Sequence, residues 1–319
     1  MGSKVAGMTR REMLRIGALA GAGCVLNPSG IAYTASSEQL PLMTRPIPSG
    51  GERIPVVGLG TNNYSVTGAQ ELAARREVLE RMPQLGGTLI DTAPAYGRSE
   101  EVIGQLLAQI GNRDNFFLAT KATVSDGDVA AGKAMIEESF RRLRTDRIEL
   151  IQVHSLIGLD ALMPVLQELK AGKRIKYLGA TTSSDEQHAA MADAMRKYRL
   201  DFVQLNYSID DREAAAKLLP LAQERGTAVL VNMPFGGRRG SNLFARVSGR
   251  PLPDWAGELD VASWAQFFLK YVVSHPAVTC AIPGTTKLSH LEDNQRAARG
   301  RPPDASMRKR MEAFWETLT

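Results

Sequence analysis

Short apolar runs alternate with amphipathic stretches along most of the chain. The runs are 56–60, 88–91, 116–121, 148–154, 175–180, 202–206, 228–233 and 278–282. They do not alternate strictly between apolar and polar residues, which is the pattern of parallel strands buried on both faces. Between them the apolar residues recur at helical spacing. Leu72, Val78, Leu79 and Met82 predict a helix over 68–85, and Val102, Ile103, Leu106 and Leu107 one over 99–110. Ile136, Phe140 and Leu143 do the same for 128–143. Further helices are expected over 160–171, 184–197, 211–224, 261–273, 288–298 and 305–317. Eight strand–helix units in about 270 residues suit a closed (β/α)₈ TIM barrel better than an open sheet. The Pro/Gly-rich stretch from Arg45 to Pro55 reads as an N-terminal β-hairpin leading into the first barrel strand. No Gly-x-Gly-x-x-Gly follows that strand, so a Rossmann reading has no phosphate loop.

Composition adds limits. With 319 residues, 44% hydrophobic and 23% charged, the chain can bury a large core. A net charge of +5 is modest and gives no reason to expect a nucleic-acid partner. Cys24 and Cys280 have no metal-ligand spacing and cannot build a disulfide framework. No metal is expected, and a monomer is favoured.

The first 35 residues stand apart. Thr9-Arg10-Arg11-Glu12-Met13-Leu14-Arg15 precedes a mildly apolar, Gly/Ala-rich run and small residues around 32–37. This resembles a twin-arginine export signal, so residues 1–35 are expected to be a signal peptide and 36–319 the barrel domain. The expected location is periplasmic or otherwise exported, with the export machinery as a partner. A short amphipathic helix on a cytoplasmic protein is the alternative.

Candidate chemistry lies where strands end, which is where barrel enzymes build active sites. Asp91 ends the second strand, Tyr96 follows one turn later, Lys121 ends the third and His154 the fourth. Singly, each has a bland explanation: a turn-capping Asp, its packing partner, a solvated rim Lys, a satisfied His. Together they form a set. A nearby ammonium is expected to lower the pKa of the Tyr96 phenol, Asp91 to keep Lys121 charged, and His154 to orient a carbonyl oxygen. Such a set suits protonation of an alkoxide as hydride arrives from a cofactor. His188, on a polar helix, and His275, in a turn, are not expected to compete. A Lys121 Schiff base is disfavoured by the adjacent carboxylate.

The order and spacing of Gly58-Leu-Gly-Thr61, Ile90-Asp-Thr-Ala-Pro-Ala-Tyr-Gly-Arg-Ser-Glu100, Thr120-Lys121, Val153-His154 and Ile282-Pro-Gly-Thr-Thr-Lys…Leu291-Glu-Asp-Asn294 resemble the aldo/keto reductase family over about residues 45–300. The resemblance implies NADPH-dependent reduction of a small aldehyde, ketone or quinone, with Asp91, Tyr96, Lys121 and His154 as the catalytic tetrad and Tyr96 as general acid. It implies cofactor contacts from Thr61, Asn62, Thr181, Thr182, Gln204, Asn232, Pro234, Phe235, Gly236, Gly284, Thr285, Lys287, His290, Asp293 and Asn294. The chain departs from the family pattern at Thr181-Thr182, in place of Ser-Asn, and at Asn232, in place of an aromatic that stacks on the nicotinamide. Gly284 and His290 replace cations at the adenosine phosphate, so NADH is also possible. Arg238, Arg239 and Arg246, in the long loop 234–258, could fold over the pyrophosphate or stay solvated. The departures keep open an NADP(H)-binding redox sensor or partner-binding protein with negligible turnover.

Overall fold

The structure is a computed structural model that describes residues 40–125, 127–237 and 242–318. The segment 1–35 expected to be a signal peptide, Arg238 and Arg239 lie outside those residues. The chain starts with an antiparallel pair, β1 (Thr44–Pro46) and β2 (Arg53–Pro55), the expected hairpin. Then strands and helices alternate: β3 (Leu59–Gly60), α1 (Ala69–Arg81), β4 (Leu89–Asp91), α2 (Ser99–Ile110), β5 (Phe117–Ala122), α3 (Val129–Leu143), β6 (Ile148–Val153), α4 (Leu159–Ala171). They continue as β7 (Ile175–Thr181), α5 (His188–Lys197), β8 (Phe202–Asn206), α6 (Glu213–Arg225), β9 (Ala228–Asn232), α7 (Leu243–Arg246), α8 (Trp264–Val273), β10 (Cys280–Ala281), α9 (Leu288–Arg296) and α10 (Ala305–Glu316). Helix starts are set by side chains that accept from free N–H groups: Asp128 from Ala131, Ser263 from Gln266 and Asp304 from Met307.

Strands β3 to β10 form one parallel sheet in sequence order. Gly58 N donates to Ala281 O, Ala281 N to Val56 O and Gly60 N to Pro283 O, which joins the last strand to the first. The final strand is shorter than the apolar run 278–282, and it meets the first strand through isolated bridges, Val57 to Ala281 and Gly60 to Gly284.

Side chains two residues apart on a strand share a face. Leu89, Ala119, Leu150, Phe202, Leu230 and Cys280 fill the barrel, with Phe117 and Tyr177 beneath them. Ile47 and Ile54 of the hairpin plug that lower end, and Tyr177 Oη donates to Glu52 Oε2 at 3.0 Å to tie the plug to β7. The next inward positions, two residues on, are Asp91, Lys121, Gln152, Gln204 and Asn232. The interior therefore changes from apolar to polar within one layer. The other strand face, including Ile90, Leu118, Ile151, Val203 and Val229, joins the helices in the outer core.

Helices α2 and α3 meet at Gly104, where an added Cβ would lie 2.1 Å from Arg142 O. Gly104→Ala is expected to cost about 1–3 kcal/mol by overpacking, despite the ~1 kcal/mol Ala gains in helix propensity. A lowered urea midpoint at unchanged slope would confirm this.

Candidate active site

The polar layer opens into a cavity of about 510 Å³ at the C-terminal ends of the strands. Its lining includes Asp91, Tyr96, Lys121 and His154, so all four strand-end candidates converge. Lys121 Nζ donates to Asp91 Oδ2 at 2.7 Å and to Thr92 O at 2.8 Å, with both side chains almost fully buried. Nζ lies 5.0 Å from the Tyr96 ring centroid. The His154 ring meets the Tyr96 ring edge-on, with centroids 6.1 Å apart and planes at 87°.

Burial works to discharge Lys121, but the Asp91 carboxylate and the Tyr96 phenol beside it prevail and hold its pKa above the usual value. The Tyr96 pKa is also raised, by burial first and Asp91 after it, with Lys121 pulling the other way. This corrects the expectation that Lys121 would set the direction: desolvation of the phenolate outweighs the ammonium. His154 is pushed down to about 4, by burial and then by Lys121. It is neutral at physiological pH and serves as a hydrogen-bonding group, not a charge. His275 is likewise lowered to about 4, by burial, Arg308 and Arg45.

Both histidines have folded pKa values below the unfolded value of about 6.5. Between these limits the unfolded chain binds protons that the native state does not, so their contribution is complete above that range and lost as pH falls toward 4. The urea midpoint is expected to drop across this window, with a smaller drop in a His154→Gln, His275→Gln double variant. An identical drop in both proteins would refute the assignment.

Several supports escaped the sequence reading. Gln152 Nε2 donates to Gln204 Oε1 at 3.2 Å, and Gln204 Nε2 reaches Asp91 Oδ2 at 3.5 Å. A chain of amides thus backs the ion pair. Glu100 is fully buried behind β5 and accepts from Thr120 Oγ1 at 2.6 Å, with Arg142 at 3.7 Å. Burial raises its pKa. Ser99 Oγ contacts Thr61 O at 2.9 Å and Thr92 Oγ1 at 2.9 Å, locking the loop after β3 to the turn that carries Tyr96. Gln152 shares a strand with Glu149, so its polarity alone did not mark it out.

After His154 the backbone takes left-handed geometry at Ser155 (φ 52°) and Leu156 (φ 61°), where non-glycine residues pay a conformational cost. Ser155 N donates to Thr181 Oγ1 at 3.0 Å, and Gln187 Nε2 donates to Ser155 O at 3.0 Å. Thr181 therefore helps hold the His154 segment. Thr182 Oγ1 donates to Gln187 Oε1 at 2.8 Å, and Asn232 Nδ2 donates to Thr182 O at 2.9 Å.

Thr61, Asn62, Thr181, Thr182, Gln204, Asn232, Pro234, Phe235, Gly236 and Gly284 all line the cavity. Phe235 also packs against Phe244, with ring centroids 5.0 Å apart. Thr285, Lys287, His290, Asp293 and Asn294 continue outward from Gly284 and lie outside that lining. Lys287 is exposed at the N-terminus of α9, a position suited to an anion. Asp293 instead faces α8, accepting from Ser263 Oγ at 2.7 Å and Gln266 Nε2 at 2.6 Å. Arg246 is taken by Asp210 at 3.1 Å, Trp315 O and Leu318 O, so it braces the C-terminal helix and not a pyrophosphate. His188, although its helix is polar, is buried against Asn206 Oδ1 at 3.2 Å. Cys280 lies inside the barrel, and burial pushes its thiol pKa up.

A nicotinamide dinucleotide fits this mouth. A Cβ on Gly60 would lie 2.8 Å from Ile282 O, and one on Gly284 3.2 Å from Asn62 Oδ1, so the seam between first and last strands is kept free of side chains. The adjoining wall offers uncharged amides and hydroxyls suited to a carboxamide.

Comparison with known proteins agrees with this geometry. Aldo-keto reductase YhdN of Bacillus subtilis is 32% identical over 191 residues, spanning 55% of this chain and 56% of that protein. Methylglyoxal reductase YeaE of Escherichia coli is 28% identical over 257 residues, 77% of this chain and 86% of its own. An aldo/keto reductase from Klebsiella pneumoniae, solved in complex with NADP and acetate, shares the fold with a TM-score of 0.67 at 24% identity, covering 83% of this chain and 93% of that one. The family model for the aldo/keto reductases matches residues 56–316, which is most of the described barrel. The chain is an oxidoreductase that belongs to the aldo/keto reductase family.

Proposed function

We propose that this protein reduces a small aldehyde, ketone or quinone to the alcohol with NADPH, Tyr96 being the general acid. The convergence of Tyr96, a buried ammonium and a neutral imidazole at one cavity carries this reading. The Klebsiella pneumoniae structure, in complex with NADP, supports the cofactor, and the name of the Escherichia coli relative supports a small carbonyl. The reduced nicotinamide, when bound, supplies the hydride to the carbonyl carbon. Tyr96 gives its proton to the carbonyl oxygen as charge develops there. Lys121 stabilises the phenolate that remains, Asp91 holds Lys121 charged, and neutral His154 hydrogen-bonds the same oxygen. Thr61, Asn62, Thr181, Thr182, Gln204 and Asn232 hold the nicotinamide end, with Pro234, Phe235, Gly236 and Gly284 as its wall. Thr285, Lys287, His290 and Asn294 serve the adenosine end, with Asp293 positioning them through α8. Lys287 and the N-terminus of α9 favour the 2′-phosphate, while NADH remains acceptable.

The decisive experiment is a single turnover: NADPH bound to the purified protein is mixed with an aldehyde, and cofactor oxidation is followed by its fluorescence. Stable, tightly bound NADPH that no carbonyl oxidises would favour the redox-sensing role instead. The tie between Asn232 and Thr182, where a stacking aromatic is usual, is the observation that keeps that role in play. Residues 1–35 are proposed to export the protein by the twin-arginine route, folded and with its cofactor loaded. Cell fractionation tests this; full-length protein found only in the cytoplasm would exclude it.

A further inference from the structure

His154 follows β6, and the chain leaves it through two consecutive left-handed residues, Ser155 and Leu156, neither of them glycine. Such a turn persists only where its neighbours hold it. Ile157 N donates to His154 O at 3.0 Å and closes it from within. Two side chains hold it from outside: Thr181 Oγ1 accepts from Ser155 N, and Gln187 Nε2 donates to Ser155 O. Gln187 also reaches further. Its Oε1 accepts from Thr182 Oγ1 at 2.8 Å, so one amide joins the turn after His154 to the residue after β7. Thr182 is in turn bound to its neighbours in the mouth. Its N–H donates to Gln204 O at 2.8 Å, its C=O accepts from Asn232 Nδ2 at 2.9 Å, and its hydroxyl accepts from Ser184 N at 3.0 Å. Thr182, Gln204 and Asn232 all belong to the proposed nicotinamide wall.

The backbone under Gln187 is anchored independently. Asn206, at the end of β8, donates through Nδ2 to Asp185 Oδ1 at 2.6 Å and to Asp211 Oδ2 at 2.7 Å, and its Oδ1 lies 3.2 Å from His188 Nε2. Residues on both sides of Gln187 are thus fixed to the barrel. Gln187 itself is half-buried and outside the cavity lining, so any effect it has on the reaction passes through what it holds. We propose that Gln187 is a positioning residue: it sets His154 in register with the wall that seats the nicotinamide, so that the imidazole meets the carbonyl oxygen where hydride can reach the carbon. Reacting groups tolerate little misplacement, and a shift of about 1 Å can cost about 10²-fold in rate. This inference rests on the reductase reading.

The test is a double-mutant cycle on the single-turnover rate, with NADPH bound and an aldehyde in excess, using Gln187→Met, His154→Ala and the two combined. Methionine keeps the length of the side chain and loses both hydrogen bonds, while the Asn206 contacts on either side guard the fold. Gln187→Met is expected to slow the step on the order of tenfold, and to have no further effect once His154 is alanine. A residue that merely supports the fold slows both backgrounds alike, so additive losses overturn the proposal, as does an unchanged rate in Gln187→Met. A second readout needs no turnover. The chain has four histidines, and the imidazole signal missing from His154→Ala identifies His154 by NMR. Burial and Lys121 hold its pKa at about 4; in Gln187→Met it is expected to titrate closer to about 6.5, as the turn relaxes and the ring meets solvent. A His154 titration identical to wild type overturns the proposal and leaves the reductase reading intact. Wild-type protein whose bound NADPH no carbonyl oxidises defeats the reductase reading, and the titration then still decides whether Gln187 places His154.

Discussion

Tyr96→Phe is expected to reduce kcat for carbonyl reduction by about 10²–10⁴-fold, with NADPH affinity and stability close to wild type. The phenol faces Lys121, which is already held by Asp91 and Thr92 O. Removing one hydroxyl from the cavity wall therefore leaves the ion pair and the ring packing on His154 in place. What disappears is the proton donor. Because burial keeps the Tyr96 pKa high, the proton is present throughout the neutral range, and the acid limb of the rate profile is not expected to report this group. Single-turnover kinetics with a saturating aldehyde, alongside cofactor titration, separate chemistry from binding. A variant as fast as wild type would sink the assignment. A slow variant that had also lost cofactor affinity would make Tyr96 a binding residue.

Lys121→Met should have the larger effect on stability, about 3–5 kcal/mol, together with loss of activity. The reason is the partner left behind. The Asp91 side chain is 3% exposed and Lys121 1%, so the variant buries a carboxylate whose main counter-charge is gone. Burial already pushes the Asp91 pKa up, with Lys121 opposing it. Without the ammonium Asp91 takes up a proton, and Tyr96 loses the charge that stabilises its phenolate. Adding Asp91→Asn should recover much of the stability, since an amide can be buried at lower cost, but none of the activity. Urea unfolding of the two variants checks the first claim and single-turnover assays the second. Equal stability of Lys121→Met and wild type would mean that solvent reaches Asp91 more freely than this geometry allows.

The two variants also show why the site could be read in part from the chain alone. Asp91, Lys121 and His154 stand out because each is a polar residue that closes an apolar run, with Tyr96 in the turn after the first of them, and short parallel strands put such residues at one end of a barrel. The strand and helix order followed from hydrophobic periodicity for the same reason: a buried strand and an amphipathic helix impose different spacings on apolar residues. Gln152 and Glu100 were not legible, since a polar residue within a strand or helix pattern signals nothing until its neighbours in space are known. Both are held by side chains from other elements, Gln204 and Thr120. The partners of Arg246 and Asp293 were hidden for the converse reason. A charge in a loop or on a helix surface invites a ligand, but here Asp210 and Ser263 are nearer.

The barrel, the order of its units and the polar residues at its mouth can be read along the chain, because they depend on local periodicity and on where each apolar run stops. The electrical state of the mouth, by contrast, emerges from packing in three dimensions. The direction of the Tyr96 shift, the neutrality of His154 and the hold of Thr181 and Gln187 on Ser155 arise from burial and from contacts between distant segments. Desolvation depends on everything packed around a group, and no stretch of sequence contains that information.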